Sequence, residues 1–172
     1  MSKQMSASKC SKKLDILLTA KEKRNVDAWI AKYPQDKKQS AVISVLTIVQ
    51  SHYGYLTNEL MDAVAEYLDM PAIAVYEVAS FYTMFETEPV GKHIINVCTN
   101  ISCQLAGASD VVALFEKKLG IKVGETTPDG KFTLRGVECL AACVDAPAMQ
   151  IDTNDYKKVT VDAIDEILES YS

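Results

Sequence analysis

The sequence predicts an α+β chain in two parts, a helical half followed by a compact α/β domain. Two observations carry this. Before "ETEPVGK" (86–92) the chain offers four amphipathic segments with helix start and stop signals, and after it short apolar strand-like runs alternate with helical ones. The expected divisions are a polar, flexible tail over 1–17, a helical bundle over 18–88 and the α/β domain over 89–172.

In the first helix, Thr19 and Glu22 have capping-box spacing, Val26, Trp29, Ile30 and Tyr33 share one face, and Pro34 ends the run. The second repeats the device with Asp36 and Gln39, presents Val42, Val45, Leu46 and Val49, and stops at Gly54. A third carries Leu60, Val64 and Leu68. Pro71 suits the first turn of a fourth, whose inward residues are Val75, Val78, Ala79 and Tyr82. Four such helices on short connections predict a small bundle.

The second half opens with "KHIINVC", a buried strand running into a cysteine. "GASDVVALFEKKLG" is a helix with Val111, Leu114 and Phe115 inward and Gly120 as its stop. Asp129-Gly130 marks a turn feeding the strand "KFTL", and "AMQID" and "YKKVT" read as two strands about the turn "TND". Thr160 is placed to cap a last helix bearing Val161, Ile164, Ile167 and Leu168.

Composition narrows the function classes. With 48% hydrophobic and 24% charged residues the chain is neither disordered nor fibrous. A net charge of −5 gives no basic footprint for nucleic acid. No run approaches the roughly 20 apolar residues of a membrane-spanning helix, so no direct membrane insertion is expected. The early lysines are followed by no apolar core, so the start of the chain does not read as a secretory signal. A soluble, intracellular protein is expected, where structural disulfides are rare.

The chemistry lies in the cysteines: Cys10, Cys98, Cys103, Cys139 and Cys143. Four fall in two tight pairs, Cys-x4-Cys in "VCTNISCQLAG" and Cys-x3-Cys in "ECLAACVDAP", with 35 residues between Cys103 and Cys139. Each pair follows a strand, where loops carry ligands. This is the arithmetic of one four-thiolate site plus a spare. Neither spacing is the Cys-x2-Cys of dithiol exchange. Four thiolates from two loops can enclose a zinc ion or a 2Fe–2S cluster. The wider spacings favour the cluster, and zinc stays open.

The stretches "VCTNISCQLAG", "GETTPDGKFTL" and "VECLAACVDAPAMQI" resemble a known family, the thioredoxin-like 2Fe–2S subunits of the NADH module of respiratory complex I (the E-type subunits of NADH–quinone oxidoreductase). "VQSHYGYLTNEL" and "VYEVASFYTMFETEPVGK" resemble that family's amino-terminal region, so the likeness covers roughly residues 20 to 172. It implies a four-helix region followed by a thioredoxin-like domain carrying one 2Fe–2S cluster, with Cys98 and Cys103 on one iron and Cys139 and Cys143 on the other. It also implies partners: an FMN- and NADH-binding subunit beside the cluster and a large iron–sulfur subunit. The expected location is peripheral, on the cytoplasmic side of a bacterial inner membrane or the matrix side of a mitochondrion. The runner-up readings are the equivalent subunit of an NAD-linked or bifurcating hydrogenase or formate dehydrogenase, and a zinc-stabilised binding module.

Several residues refine the picture. The chain has no Gly-x-Gly-x-x-Gly and no P-loop, so FMN and NADH are expected on the partner and the chain is not catalytic alone. Where the family commonly has Cys-Leu-Gly-Ala-Cys, this chain has Ala141. Alanine tolerates positive φ poorly, so either the loop differs there or the family's glycine has no backbone role. Asp145 reads as a solvated carboxylate near the site, His52 as a packing or capping residue, and "FYTMF" as core or subunit interface; His93, at the start of a strand, is not needed as a ligand because four cysteines are already available. Cys10 reads as an idle surface thiol.

Overall fold

The structure, a computed structural model, describes Leu14 and residues 17–171. Most of the expected tail, including Cys10, lies outside them. The chain forms two compact units, Met1–Pro89 and Val90–Ser172.

The helical unit starts from a complete capping box. Thr19 Oγ1 accepts the Glu22 N–H at 3.3 Å and Glu22 Oε2 accepts the Thr19 N–H at 2.8 Å, which opens α1 (Ala20–Ile30). The second box does not form. Pro34 occupies the cap position with no side-chain bond, and a 3₁₀ segment over Gln35–Ala41, broken at Lys37, leads into α2 (Val42–Tyr53). Gly54 stops α2 at φ +85°. Thr57 caps α3 (Asn58–Leu68), and Pro71 sits one place ahead of α4 (Ala72–Phe81), as its cap rather than in its first turn.

Val26, Val45, Leu46, Val49, Val64 and Val75 fill the centre of this unit. Leu14, from the stretch expected to be tail, is 2% exposed and belongs to the same core. Two side chains expected inside are not. Trp29 is partly exposed, with the Lys32 ammonium 3.3 Å from its ring centroid. Tyr82 ends α4 in an extended conformation and is exposed beside Phe81.

The second unit is a four-stranded mixed sheet in the order β2-β1-β3-β4. Its strands are β1 (His93–Cys98), β2 (Phe132–Val137), β3 (Met149–Ile151) and β4 (Asn154–Tyr156). β1 runs parallel to β2 and antiparallel to β3, and β3 and β4 form a hairpin. Between β1 and β2 lie α5 (Ile101–Leu105), which no hydrophobic periodicity announces, and α6 (Ala108–Leu119), closed by Gly120 at φ +68°. α7 (Ile164–Glu169) is the last element among the described residues, and Phe115, Ile164, Ile95, Leu134, Met149 and Ile151 form the core.

Two boundaries differ from expectation. The hairpin's second strand is Asn154–Tyr156 rather than "YKKVT", because Asp152 turns at φ +54° and Lys158 at φ +49° breaks the strand again. Thr160 makes no side-chain cap bond, and the chain enters α7 through a 3₁₀ turn over Val161–Ala163.

The parallel β1–β2 pair leaves no room at its entry. A Cβ on Gly91 would stand 2.6 Å from the Phe132 carbonyl carbon and 2.9 Å from the Thr133 nitrogen, both backbone atoms that cannot yield. The Gly91 N–H donates to Thr133 Oγ1 at 2.6 Å. Gly91→Ala is therefore expected to destabilise the second unit by about 1–3 kcal/mol, the usual range for overpacking. Urea unfolding checks this, and an unchanged midpoint would show that the two strands can separate freely.

Candidate metal centre

The β1–β2 register creates the site. Cys98, the last residue of β1, pairs with Val137, the last residue of β2, so the chain leaves both strands at the same end of the sheet. The Thr99 N–H and hydroxyl both donate to the Val137 carbonyl, at 2.8 and 3.1 Å, and tie the two exits together. The Cys98 N–H donates across to Ala148 at 3.1 Å, which anchors the far end of the second loop as well.

After Cys98 the chain turns at once into α5. Asn100 accepts the Ile101 N–H on its side chain at 2.9 Å, and Cys103 follows in the helix. Cys98 and Cys103 are both buried, among Ala108, Ala148, Leu140, Ala142 and Ala146. On the other loop, Cys139 follows β2 by two residues and Cys143 opens a 3₁₀ turn, Cys143–Asp145, and both are exposed. All four are free thiols.

Backbone N–H groups converge on the sulfurs. Burial pushes the Cys98 thiol up, but the Asn100 N–H, the Cys103 thiol, the Leu140 N–H and the Cys139 thiol outweigh it and hold its pKa below the ordinary value. Burial pushes the Cys103 thiol above it; the Ala148 N–H opposes that rise, and Cys98 and Cys143 reinforce it. The Ala141 N–H donates to Cys139 Sγ at 3.2 Å. The thiols of the two loops thus sense one another, and each of these three sulfurs has a peptide donor suited to a thiolate.

Ala141 resolves the question its loop raised. It stands at φ +55°, the left-handed conformation that favours glycine. The loop therefore does not avoid positive φ; it imposes it on an alanine, and so turns the residue's N–H toward Cys139.

The donor set contains thiols only. His93 is at the opposite end of β1, 2.7 Å from Asp152 Oδ2, and His52 lies in the helical unit, 2.7 Å from Glu22 Oε1. Among the described residues, no three His, Cys, Asp or Glu side chains are grouped as a metal ion would hold them. The four thiols stand instead as two pairs on two loops. Soft, anionic sulfur donors without carboxylate or imidazole, each loop supplying N–H bonds to sulfur, fit an iron–sulfur group.

Residues 26–172 match the family model described as thioredoxin-like [2Fe-2S] ferredoxin. The chain belongs to that family. Within it, the E-type subunit of NADH-quinone oxidoreductase from Rickettsia felis is 44% identical over 144 residues, covering 83% of this chain and 86% of that one. Its counterpart from Rickettsia conorii is 46% identical over 141 residues, with 81% and 84% covered. The second E-type subunit of Rhizobium meliloti is 40% identical over 149 residues, with 87% and 88% covered. Among solved structures, a chain of an NAD+-reducing [NiFe]-hydrogenase in the H2-reduced state superposes with a TM-score of 0.68 at 19% identity. The match covers 76% of this chain but 22% of that one, and shows a shared fold alone.

Sequence reasoning singled out the two cysteine pairs but not what surrounds them. The short helix α5 is signalled only by Asn100, a good cap residue, directly ahead of Ile101. The N–H donors carry no side-chain signal at all.

The left-handed Ala141 gives a direct test. Ala141→Gly removes the steric cost, partly offset by glycine's greater freedom when unfolded, and is expected to raise stability by up to about 1 kcal/mol. Ala141→Val is expected to lower it by about 1–2 kcal/mol, because a β-branched residue tolerates positive φ worst. Thermal unfolding of the two variants measures both, and equal melting temperatures would show that the loop relaxes.

Proposed function

We propose that the chain is the 2Fe–2S electron-transfer subunit of an NADH–quinone oxidoreductase, with Cys98, Cys103, Cys139 and Cys143 as its cluster ligands. The observation that carries this is the pairing of two thiol loops at one sheet end, with peptide N–H groups aimed at sulfur. It is supported by 40–46% identity to the E-type subunits of that oxidoreductase along more than four-fifths of the chain.

When bound, a 2Fe–2S cluster supplies one-electron acceptance and release at a site of about −2 formal charge. The chain's residues provide the rest. Cys98 and Cys103 would hold one iron from the buried side, and Cys139 and Cys143 the other from the exposed side. The N–H groups of Asn100, Leu140, Ala148 and Ala141 offset the negative charge on sulfur.

Large apolar side chains are exposed beside the cysteines. Ile101 is 71% exposed, Leu105 85% and Val144 96%, each next to or within two residues of a cysteine. Such a rim suits contact with another protein surface that excludes water. We assign this face to the FMN- and NADH-binding subunit, with the large iron–sulfur subunit as the further partner. Among the described residues no helix is long and apolar enough to cross a membrane. As part of the same proposal, we place the chain as a peripheral subunit, on the cytoplasmic face in a bacterium or the matrix face in an organelle.

Anaerobic purification decides the reading. The expected sample is brown, holds iron and acid-labile sulfide in equal amounts, and gives a paramagnetic resonance signal on reduction. A colourless sample carrying zinc would overturn it. Cys103→Ser and Cys139→Ser are each expected to weaken or abolish the visible absorption, whereas Cys10→Ser leaves the spectrum unchanged. A spectrum altered by Cys10→Ser would show the ligand set to be wrong.

A further inference from the structure

Asp145, two residues beyond Cys143, is not the solvated carboxylate its sequence context suggests. Lys158 Nζ lies 3.3 Å from its Oδ1 and Lys157 Nζ 3.7 Å from its Oδ2. The backbone closes the same contact: the Lys158 N–H donates to the Asp145 carbonyl at 2.7 Å and the Val159 N–H to Pro147 at 3.0 Å. The Asp145 N–H in turn donates to Ala142 at 2.9 Å, inside the loop between Cys139 and Cys143.

The two lysines flank that loop. Lys157 lines a cleft of about 330 Å³ with Leu140, Ala141, Ala142 and Val144. Lys158 lines a second hollow, of about 350 Å³, with Ala106, Gly107 and Ala146. Asp155 and Asp110 border these spaces too, and Asp155 is engaged by Gln150 Nε2 at 2.8 Å. Lys158 also stands at φ +49°, a conformation a lysine keeps only where its surroundings over-determine it. Asp145, Asp155 and Asp110 bring three negative charges to these spaces, and the two lysines offset two of them beside the second thiol pair.

We propose that Lys157 and Lys158, gathered by Asp145, form a cationic collar that raises the reduction potential of the cluster. The inference rests on the reading that Cys98, Cys103, Cys139 and Cys143 hold a 2Fe–2S group. Reduction adds one electron to a centre already negative, so nearby positive charge stabilises the reduced form more than the oxidised one. Both ammonium groups are largely exposed, with side chains 57% and 73% accessible, so the effect is one that salt screens.

The test is a redox titration of the full chain with its cluster, one electron per cluster from dithionite, followed by the paramagnetic resonance amplitude. Lys157→Gln/Lys158→Gln and Asp145→Asn both break the ion pairs. A clamp acting by position alone would shift the two variants the same way, or neither. A collar acting by charge shifts them oppositely: the double lysine variant falls below wild type and Asp145→Asn rises above it. The gap between them narrows as salt rises from about 0.01 M to about 1 M, where the screening length drops from about 30 Å to about 3 Å.

If the double variant does not retain colour, the single Lys157→Gln, which leaves the Lys158 side chain in place, is expected to shift in the same downward direction. Shifts of equal sign, or none, in coloured variants overturn the collar while leaving the cluster reading intact. A colourless wild-type sample overturns the cluster reading, and the collar with it.

Discussion

The parallel pairing of β1 with β2 is the constraint from which the rest of the second unit follows. Parallel strands must be joined by a crossover, and here α5 and α6 make it. A parallel pair also brings both carboxyl ends to one edge, so the residues after Cys98 and after Val137 emerge side by side. Distance along the chain between the cysteine pairs then becomes irrelevant. Were β2 antiparallel to β1, the same two cysteine loops would leave from opposite ends of the sheet.

What the sheet brings together, the backbone makes habitable. Sulfurs placed near one another repel as they ionise, and burial penalises the charge further. The loops answer with peptide groups: Asn100 and Leu140 at Cys98, Ala148 at Cys103, Ala141 at Cys139. Only a particular course of the main chain achieves that. Ala141 keeps a left-handed conformation despite its Cβ, so the surrounding loop over-determines it and the N–H stays directed at sulfur against the local strain.

The cysteine spacing and the strand entering Cys98 were legible because each depends on side-chain type or periodicity. The full capping box at Thr19 and the Gly54 and Gly120 stops were legible for the same reason. The failures share another cause. The box at Asp36 and Gln39 lost to Pro34, which took the cap position and set a 3₁₀ course. The second hairpin strand shifted because Asp152 and Lys158 adopt positive φ, which their side chains do not announce. Trp29 and Tyr82 matched a helical stripe but lay at its margin or past its end, where periodicity no longer says which way a ring faces. The tie between Asp145 and two lysines is a tertiary fact, since neither partner is near it in sequence.

The thiols differ in one further respect that bears on how the protein ages. Cys98 and Cys103 are sealed in, whereas Cys139 and Cys143 face outward. Oxidation of thiolates to sulfenic and higher acids follows exposure. Peroxide reaching the free chain therefore meets the outer pair first, and the inner pair only after the loop has been breached. A partner seated on the exposed apolar side chains beside Cys103 and Cys143 would cover the outer pair, and a copy without one would be the more vulnerable.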